Sequence, residues 1–120
     1  MDHSAGRRYR LRRRTDIRPI FDRGRRAADG TLTLLAVANA LDRTRAGVGV
    51  SKRHGNAVRR NRIRRLCREA YRLSRAELPG GLDMMIIPRV GADLTLGSIR
   101  SSLVRLANRL GTCRAKEGDS

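Results

Sequence analysis

Aromatic side chains are nearly absent from this sequence, which has no Trp and only Tyr9, Phe21 and Tyr71 in 120 residues. Extended stacking on bases therefore cannot be its main means of recognition. Cysteine is scarce too: Cys67 and Cys113 lie far apart with no C-x-x-C, so neither a zinc site nor a disulfide framework is indicated. Cys67 falls on an apolar helical stripe and reads as a buried free thiol, from which a reducing, cytoplasmic setting follows. Long apolar runs are missing. The longest uncharged stretch extends only from Gly30 to Leu41, short of the roughly 20 residues that span a bilayer. The arginines near the N-terminus are followed by no apolar segment, so no secretory signal is expected. Acids number 11 and are scattered, and no acid–base pair, activated nucleophile or metal-ligand cluster stands out. His54 reads as structural, and Glu69, flanked by Arg65, Arg68 and Arg72, as a helix-surface ion pair.

One excess stands against these shortages. Lys plus Arg total 28, giving a formal net charge of +17 and a pI near 11.8. Only Lys52 and Lys116 are lysines; the rest are arginines, whose planar, weakly hydrated fork suits bidentate phosphate contact. At 13.4 kDa the chain has room for one domain, and 39% hydrophobic residues suffice for a core. A field this positive attracts polyanions at long range and opposes self-packing, which points to nucleic acid. A basic helix on a membrane would need a bulky apolar face that this sequence does not provide. Neither a membrane partner nor an obligate protein partner is expected.

The chain divides into an Arg-rich flexible arm (residues 1–14), a single RNA-binding α/β domain (15–110) and a flexible tail (111–120). The arm either orders on RNA or is a solvated tail. Thr15 and Asp16 start a short helix with Ile17, Ile20 and Phe21 at i, i+3 and i+4, Pro19 near its first turn and Gly24 as its stop. A short strand is possible around Arg25–Asp29. Gly30 to Ala40 reads as a strand, and Ala46 to Ser51, after the turn at Asp42–Arg45, as its hairpin partner. Asn56 caps a long helix from Ala57 to about Arg75, with Ile63, Leu66, Cys67, Ala70 and Leu73 on the apolar stripe and Val58 and Tyr71 at its margins. Leu82 to Pro88 is a short apolar run, a buried strand. A last helix opens at Gly97 or Ser98 and carries Ile99, Leu103, Leu106, Ala107 and Leu110 on one side. The fold class is α+β, an α/β sandwich in the order α-β-β-β-α-β-α.

Gly47 to Arg72 is the informative stretch. Lys52, Arg53, Gly55 and the first amides of the long helix can hold phosphate together. Arg60, Asn61, Arg64, Arg65, Arg68, Arg72 and Arg75 continue that surface. A charge run on a helix is ordinarily just a solvated face. Here the like charges of Arg60/Arg64, Arg64/Arg68 and Arg68/Arg72 repel by a few tenths of a kcal/mol per pair, which a polyanion relieves. No helix-turn-helix or heptad partner accompanies the helix, so irregularly shaped RNA is a more natural target than a DNA groove.

From Ser51 to Glu69 the sequence closely resembles the bacterial ribonuclease P protein subunit family, whose hallmark is S-K-K/R-x-G-x-A-V-x-R-N-R-x-K/R-R-x-x-R-E/Q. Arg10-Leu11, Phe21 and Gly24 are similar to the family's opening R-L…F-x-x-G, and Asp83 to Arg89 to its fourth strand, so the likeness runs from about Tyr9 to Arg109. The resemblance implies a ribosomal-protein-like superfold with a left-handed β-α-β crossover. It further implies a partner RNA that is itself catalytic and, with precursor tRNA, holds the Mg²⁺ that removes the 5′ leader. Lys52, Arg53, Asn56, Arg60, Asn61, Arg62, Arg64, Arg65 and Arg68 are then expected to contact that RNA, and Ile17, Phe21 and Arg89 the leader. Ile17 stands where the family usually has Phe, giving apolar contact without a π-face. The alternative is a structural RNA-binding protein, ribosomal or chaperone-like, on the same fold.

Overall fold

The computed structural model describes residues 10, 11 and 13–119, with side chains to residue 111. The expected arm at residues 1–9 and at Arg12 lies outside the described residues, as does the side chain of Cys113. Helix α1 (Arg14–Arg23) leads into β1 (Arg25–Ala28), β2 (Leu32–Ala38) and β3 (Arg45–Val48). A 3₁₀ turn (Lys52–His54), helix α2 (Ala57–Ser74), strand β4 (Leu82–Pro88) and helix α3 (Leu96–Asp119) follow. The element order expected from the sequence is the one observed.

Pairing differs from the expectation at one point. β3 does not form a hairpin with β2; the sheet order is β1-β2-β4-β3. β4 lies between its partners, antiparallel to β2 from Leu32↔Pro88 to Ala38↔Leu82 and parallel to β3 from Arg45↔Asp83 to Val48↔Ile86. The reason is burial. Every residue of β4 except Ile87 is buried, and a hairpin between β2 and β3 would leave that run on a sheet edge. Short, Gly-containing β3 takes the edge instead, and α2 becomes the crossover between two parallel strands.

Side-chain alternation divides the sheet into two faces. Leu32, Leu34, Ala36, Met84 and Ile86 pack under α2 and α3, against Ile63, Cys67, Ala70, Tyr71, Ile99, Leu103 and Leu106. Leu35, Val37, Met85 and Ile87 point the other way, where a smaller cluster with Leu11, Ile17 and Ile20 holds α1. Leu11 is buried, and its amide bonds the Ala46 carbonyl at 2.9 Å. The ordered domain therefore begins before Thr15, because residues 10 and 11 cover the edge of β3.

Three other boundaries shift. Arg13, without a side-chain cap bond, precedes α1, and Asp16 sits in its first turn within 3.8 Å of Arg45. Pro19 is interior to the helix, with exposed Thr15 one turn before it. Gly24 ends α1 in extended backbone (φ −68°, ψ 147°), and glycine is needed because a Cβ would lie 2.1 Å from the Ile20 carbonyl oxygen. Gly111 lies within α3, against Pro79, whose ring would be 2.7 Å from a Cβ there. Thr95 and Ser98 exchange 3.0 Å bonds between each side-chain oxygen and the other's amide, capping α3 one residue earlier than expected.

Two carboxylates fasten these layers. Asp83, pointing to the α1 face, receives both Arg45 Nε (2.9 Å) and a terminal Arg45 nitrogen (2.7 Å), and also Asn39 Nδ2 at 2.8 Å. Those bonds raise the Arg45 pKa further above its ordinary value. Asp29 accepts from the amides of Thr31 and Leu32 at 2.8 and 3.0 Å, from Ser102 at 2.6 Å, and from Arg105, tying the β1–β2 turn to α3. Burial raises its pKa, but the Ser102, Leu32, Thr31 and Arg105 bonds together outweigh that and lower it to about 2.

A carboxylate pKa depressed in the folded state adds stability above the unfolded value and loses it as the pH falls through the folded one. Asp29 should thus contribute up to about 2 kcal/mol at neutral pH, fading between roughly pH 4 and pH 2. In denaturant titrations Asp29→Asn should be less stable than the parent by about 1–2 kcal/mol at pH 7, and the gap should close as the pH approaches 2.

Candidate nucleic-acid interface

The basic surface begins at the 3₁₀ turn. Ser51 accepts from the Arg53 amide at 3.3 Å, and the Ser51 amide donates to His54 Nδ1 at 3.1 Å. With Nδ1 accepting, the proton of the neutral ring lies on Nε2, which donates to the Pro88 carbonyl at 2.7 Å. Buried His54 therefore has the structural role expected of it, locking the turn to the end of β4. Gly55 follows at φ 122°, ψ −161°, a conformation open essentially only to glycine. Asn56 then caps α2, its side chain accepting from the Arg59 amide at 2.9 Å.

Along α2 the buried residues are Ile63, Cys67, Ala70, Tyr71 and Ser74. The core stripe is thus turned by roughly 50° from the expected one, at 100° per residue. Tyr71 moves inside, donating to the Thr44 carbonyl at 2.9 Å, while Leu73 and Val58 become exposed. Burial pushes the Cys67 thiol up to about 12. With the stripe turned, Arg60 and Arg64 lie on its flank and are half-buried. Lys52, Arg53, Asn56, Asn61, Arg62, Arg65 and Arg68 are exposed. Asn61 Oδ1 accepts from Arg64 at 3.0 Å, which leaves the Asn61 amide nitrogen facing outward as a donor. Glu69, as expected, forms a two-bond pair with Arg72 at 2.9 and 2.8 Å, and that pairing holds its carboxyl below the usual range.

Two of the three residues expected to contact the leader, Ile17 and Phe21, belong to α1, which covers the opposite sheet face. α1 crosses it at the end marked by Asp83 and Ala36: Asp16 approaches Arg45, and Gly24 packs against the Ala36 amide. Arg89 stands at the other end of β4, its amide on the Thr31 carbonyl at 3.0 Å. From Asp83 to Arg89 is about 20 Å of strand, floored by Leu35, Met85 and Ile87. Ile20 is the fully buried anchor of α1; Ile17 is half-buried and Phe21 is 54% exposed. Phe21 is therefore not a core residue, and Ile17 is only partly one.

Sequence reasoning passed over Arg59 and set Val58 only at the margin of the apolar stripe. Val58, 69% exposed, is an apolar spot within the basic surface. Arg59 shares a pocket with Arg53 and Arg89, and its signal was Gly55 one turn earlier. Among the described residues no group of three or more His, Cys, Asp or Glu could hold a metal, so these side chains do not fit a Mg²⁺ cage. No described helix is long and apolar enough to cross a membrane.

The fold thus sets an arginine-faced crossover helix on one side of a four-stranded sheet whose other side is only partly covered by α1. A family model described as Ribonuclease P matches residues 6–111. The ribonuclease P protein component of Brevibacillus brevis is 39% identical over 103 residues, 84% of this chain and 82% of that protein. The Thermotoga maritima component is 33% identical over 115 residues, covering 92% and 98%. The solved ribonuclease P protein of Thermotoga maritima superposes with a TM-score of 0.76 at 31% identity, over 83% of this chain and 96% of that one. A Staphylococcus aureus ribonuclease P protein mutant, described as defective in mRNA degradation activity, gives 0.78 at 28% identity, over 90% and 92%. The chain belongs to the ribonuclease P protein family. It is a subunit of the ribonuclease that processes tRNA 5′ ends, partnered with the RNA of that ribonucleoprotein, and not a ribosomal or chaperone-like protein.

Gly55→Ala should destabilise the domain by about 1–3 kcal/mol in denaturant unfolding, because a Cβ would sit 2.6 Å from Arg59 Cδ at a glycine-only φ. Gly30→Ala, where nothing lies within 4 Å, should stay within about 0.5 kcal/mol.

Proposed function

We propose that the turn at Lys52–His54 and helix α2 carry the contact surface for the ribonuclease P RNA. Lys52, Arg53, Asn56, Arg60, Asn61, Arg62, Arg64, Arg65 and Arg68 make that contact. The observation behind this reading is a continuous cationic surface from Lys52 to Arg72 whose single carboxylate, Glu69, is taken up by Arg72. Each arginine that meets a phosphate releases condensed counterions.

The sheet face between α1 and Arg89 takes the single-stranded 5′ leader of precursor tRNA. A leader must be accepted whatever its sequence, so the cleft needs apolar and backbone contacts rather than base-edge readers. Exposed Phe21 supplies a stacking surface, Ile17 an apolar wall and Arg89 a phosphate contact. Mg²⁺ is held by oxygens of the RNA and its substrate, matching its preference for phosphate and water ligands. Side chains neutralise phosphates and so lower the Mg²⁺ concentration at which the RNA folds and cleaves. The setting is the cytoplasm, where Cys67 stays reduced.

Precursor-tRNA cleavage by the matching RNA should proceed at low Mg²⁺ with the protein and fail without it; no difference would overturn the reading. If six phosphates are neutralised, log K for the RNA should fall against log salt with a slope of roughly −4 to −5. Arg62→Ala should weaken assembly several-fold with an unchanged melting temperature. Equal loss of binding and of stability would make Arg62 structural.

A further inference from the structure

Arg53, Arg59 and Arg89 come from three different places: the 3₁₀ turn, the first turn of α2 and the chain just after β4. They line one pocket of about 160 Å³. No acidic side chain lines it, and among the described residues none of the three has an ion-pair partner. Three arginine side chains around one pocket without a carboxylate repel one another, a cost that an anion would reverse.

The convergence is built in. The His54–Pro88 bond at 2.7 Å ties the turn bearing Arg53 to the strand end bearing Arg89. Arg59 crosses directly over Gly55, so closely that its Cδ would be 2.6 Å from a Cβ there. The bare glycine thus lets the Arg59 stem lie flat and reach the pocket. Val90, 47% exposed, offers an apolar rim on which a ribose or base can rest.

We propose that Arg59, with Arg53 and Arg89, forms a phosphate-binding pocket for an RNA phosphodiester, joining the basic helix to the leader cleft. It rests on the RNA-binding reading above. The planar fork of arginine suits such a ligand, and three forks around one small pocket hold a phosphodiester more firmly than scattered surface arginines do. The phosphodiester belongs either to the ribonuclease P RNA or to the leader strand, and the two sources separate in the test.

Arg59→Ala, Arg89→Ala and the double variant are compared with Arg109→Ala, which removes one exposed charge from α3 outside the pocket. Binding to the ribonuclease P RNA is followed across a salt series. Holoenzyme binding is measured for precursor tRNA with a full leader and for tRNA without one. Arg59→Ala should lose roughly fivefold in affinity at 0.15 M salt and about 0.7–0.9 of salt slope, one counterion's worth. Arg109→Ala should lose clearly less, and melting temperatures should not move. The double variant should fall short of the product of the single losses, since one phosphate serves both arginines. Arg59→Lys, keeping the charge without the fork, should recover part of the loss. A loss in RNA binding assigns the phosphate to the ribonuclease P RNA; one confined to leader-bearing tRNA assigns it to the leader. If the parent binds RNA with steep salt dependence while Arg59→Ala matches Arg109→Ala throughout, the pocket is overturned and the RNA-binding reading stands. If the parent itself does not bind the RNA, both fall together.

Discussion

Strand β4 exposes almost nothing to solvent, and most other elements are placed by covering it. Two helices lie over Met84 and Ile86, a third over Met85, and a neighbouring strand flanks each edge. Pairing β3 parallel to β4 forces the chain between them to cross from one end of the sheet to the other. α2 makes that crossing. The arginine-bearing helix is therefore held by the apolar core, and its orientation does not depend on its own surface charges.

Carboxylates are few, and the domain spends them on architecture. Asp83 fixes the register between β3 and β4 through Arg45, and Asp29 binds the first turn of the sheet to α3. Glu69 is the exception on α2, and it meets Arg72 rather than the arginines nearer the helix start. Charge neutralised inside the fold leaves the cations of one surface available to a polyanion. The same division explains why a domain of net charge +17 stays folded: its repulsion is spread over the exterior, while the buried ionic contacts are paired.

Much of this was legible in the residues. The periodicity of Ile63, Cys67 and Ala70 located α2, the unbroken apolar run located β4, and Ile99 through Leu110 located the inner face of α3. Strand pairing was not legible, because local alternation at Val48 and Val50 cannot say which strand lies alongside; sheet order is settled by burial of a segment far along the chain. Tyr71 falls at the margin of the periodic stripe, and the Thr44 carbonyl that satisfies its phenol inside the core is distant in sequence. The motif identified the basic helix, whereas the gathering of Arg53, Arg59 and Arg89 depends on the long-range His54–Pro88 bond. Gly24 reads as a helix stop and is one, but the close approaches of Gly24 to Ile20 and of Gly111 to Pro79 are visible only in the fold.

The central strand is also the last to be synthesised. As the chain leaves the ribosome, β1 and β2 can pair at once, but β3 and α2 emerge before the segment that supports them. Until residues 82–88 appear, β3 has no neighbouring strand and α2 no sheet beneath its apolar stripe. Pairings this distant are closed late and slowly. The arginine helix thus has nothing to rest its apolar stripe on until β4 and α3 have emerged, and the burial of Met84 and Ile86 sets when the chain acquires a defined binding face.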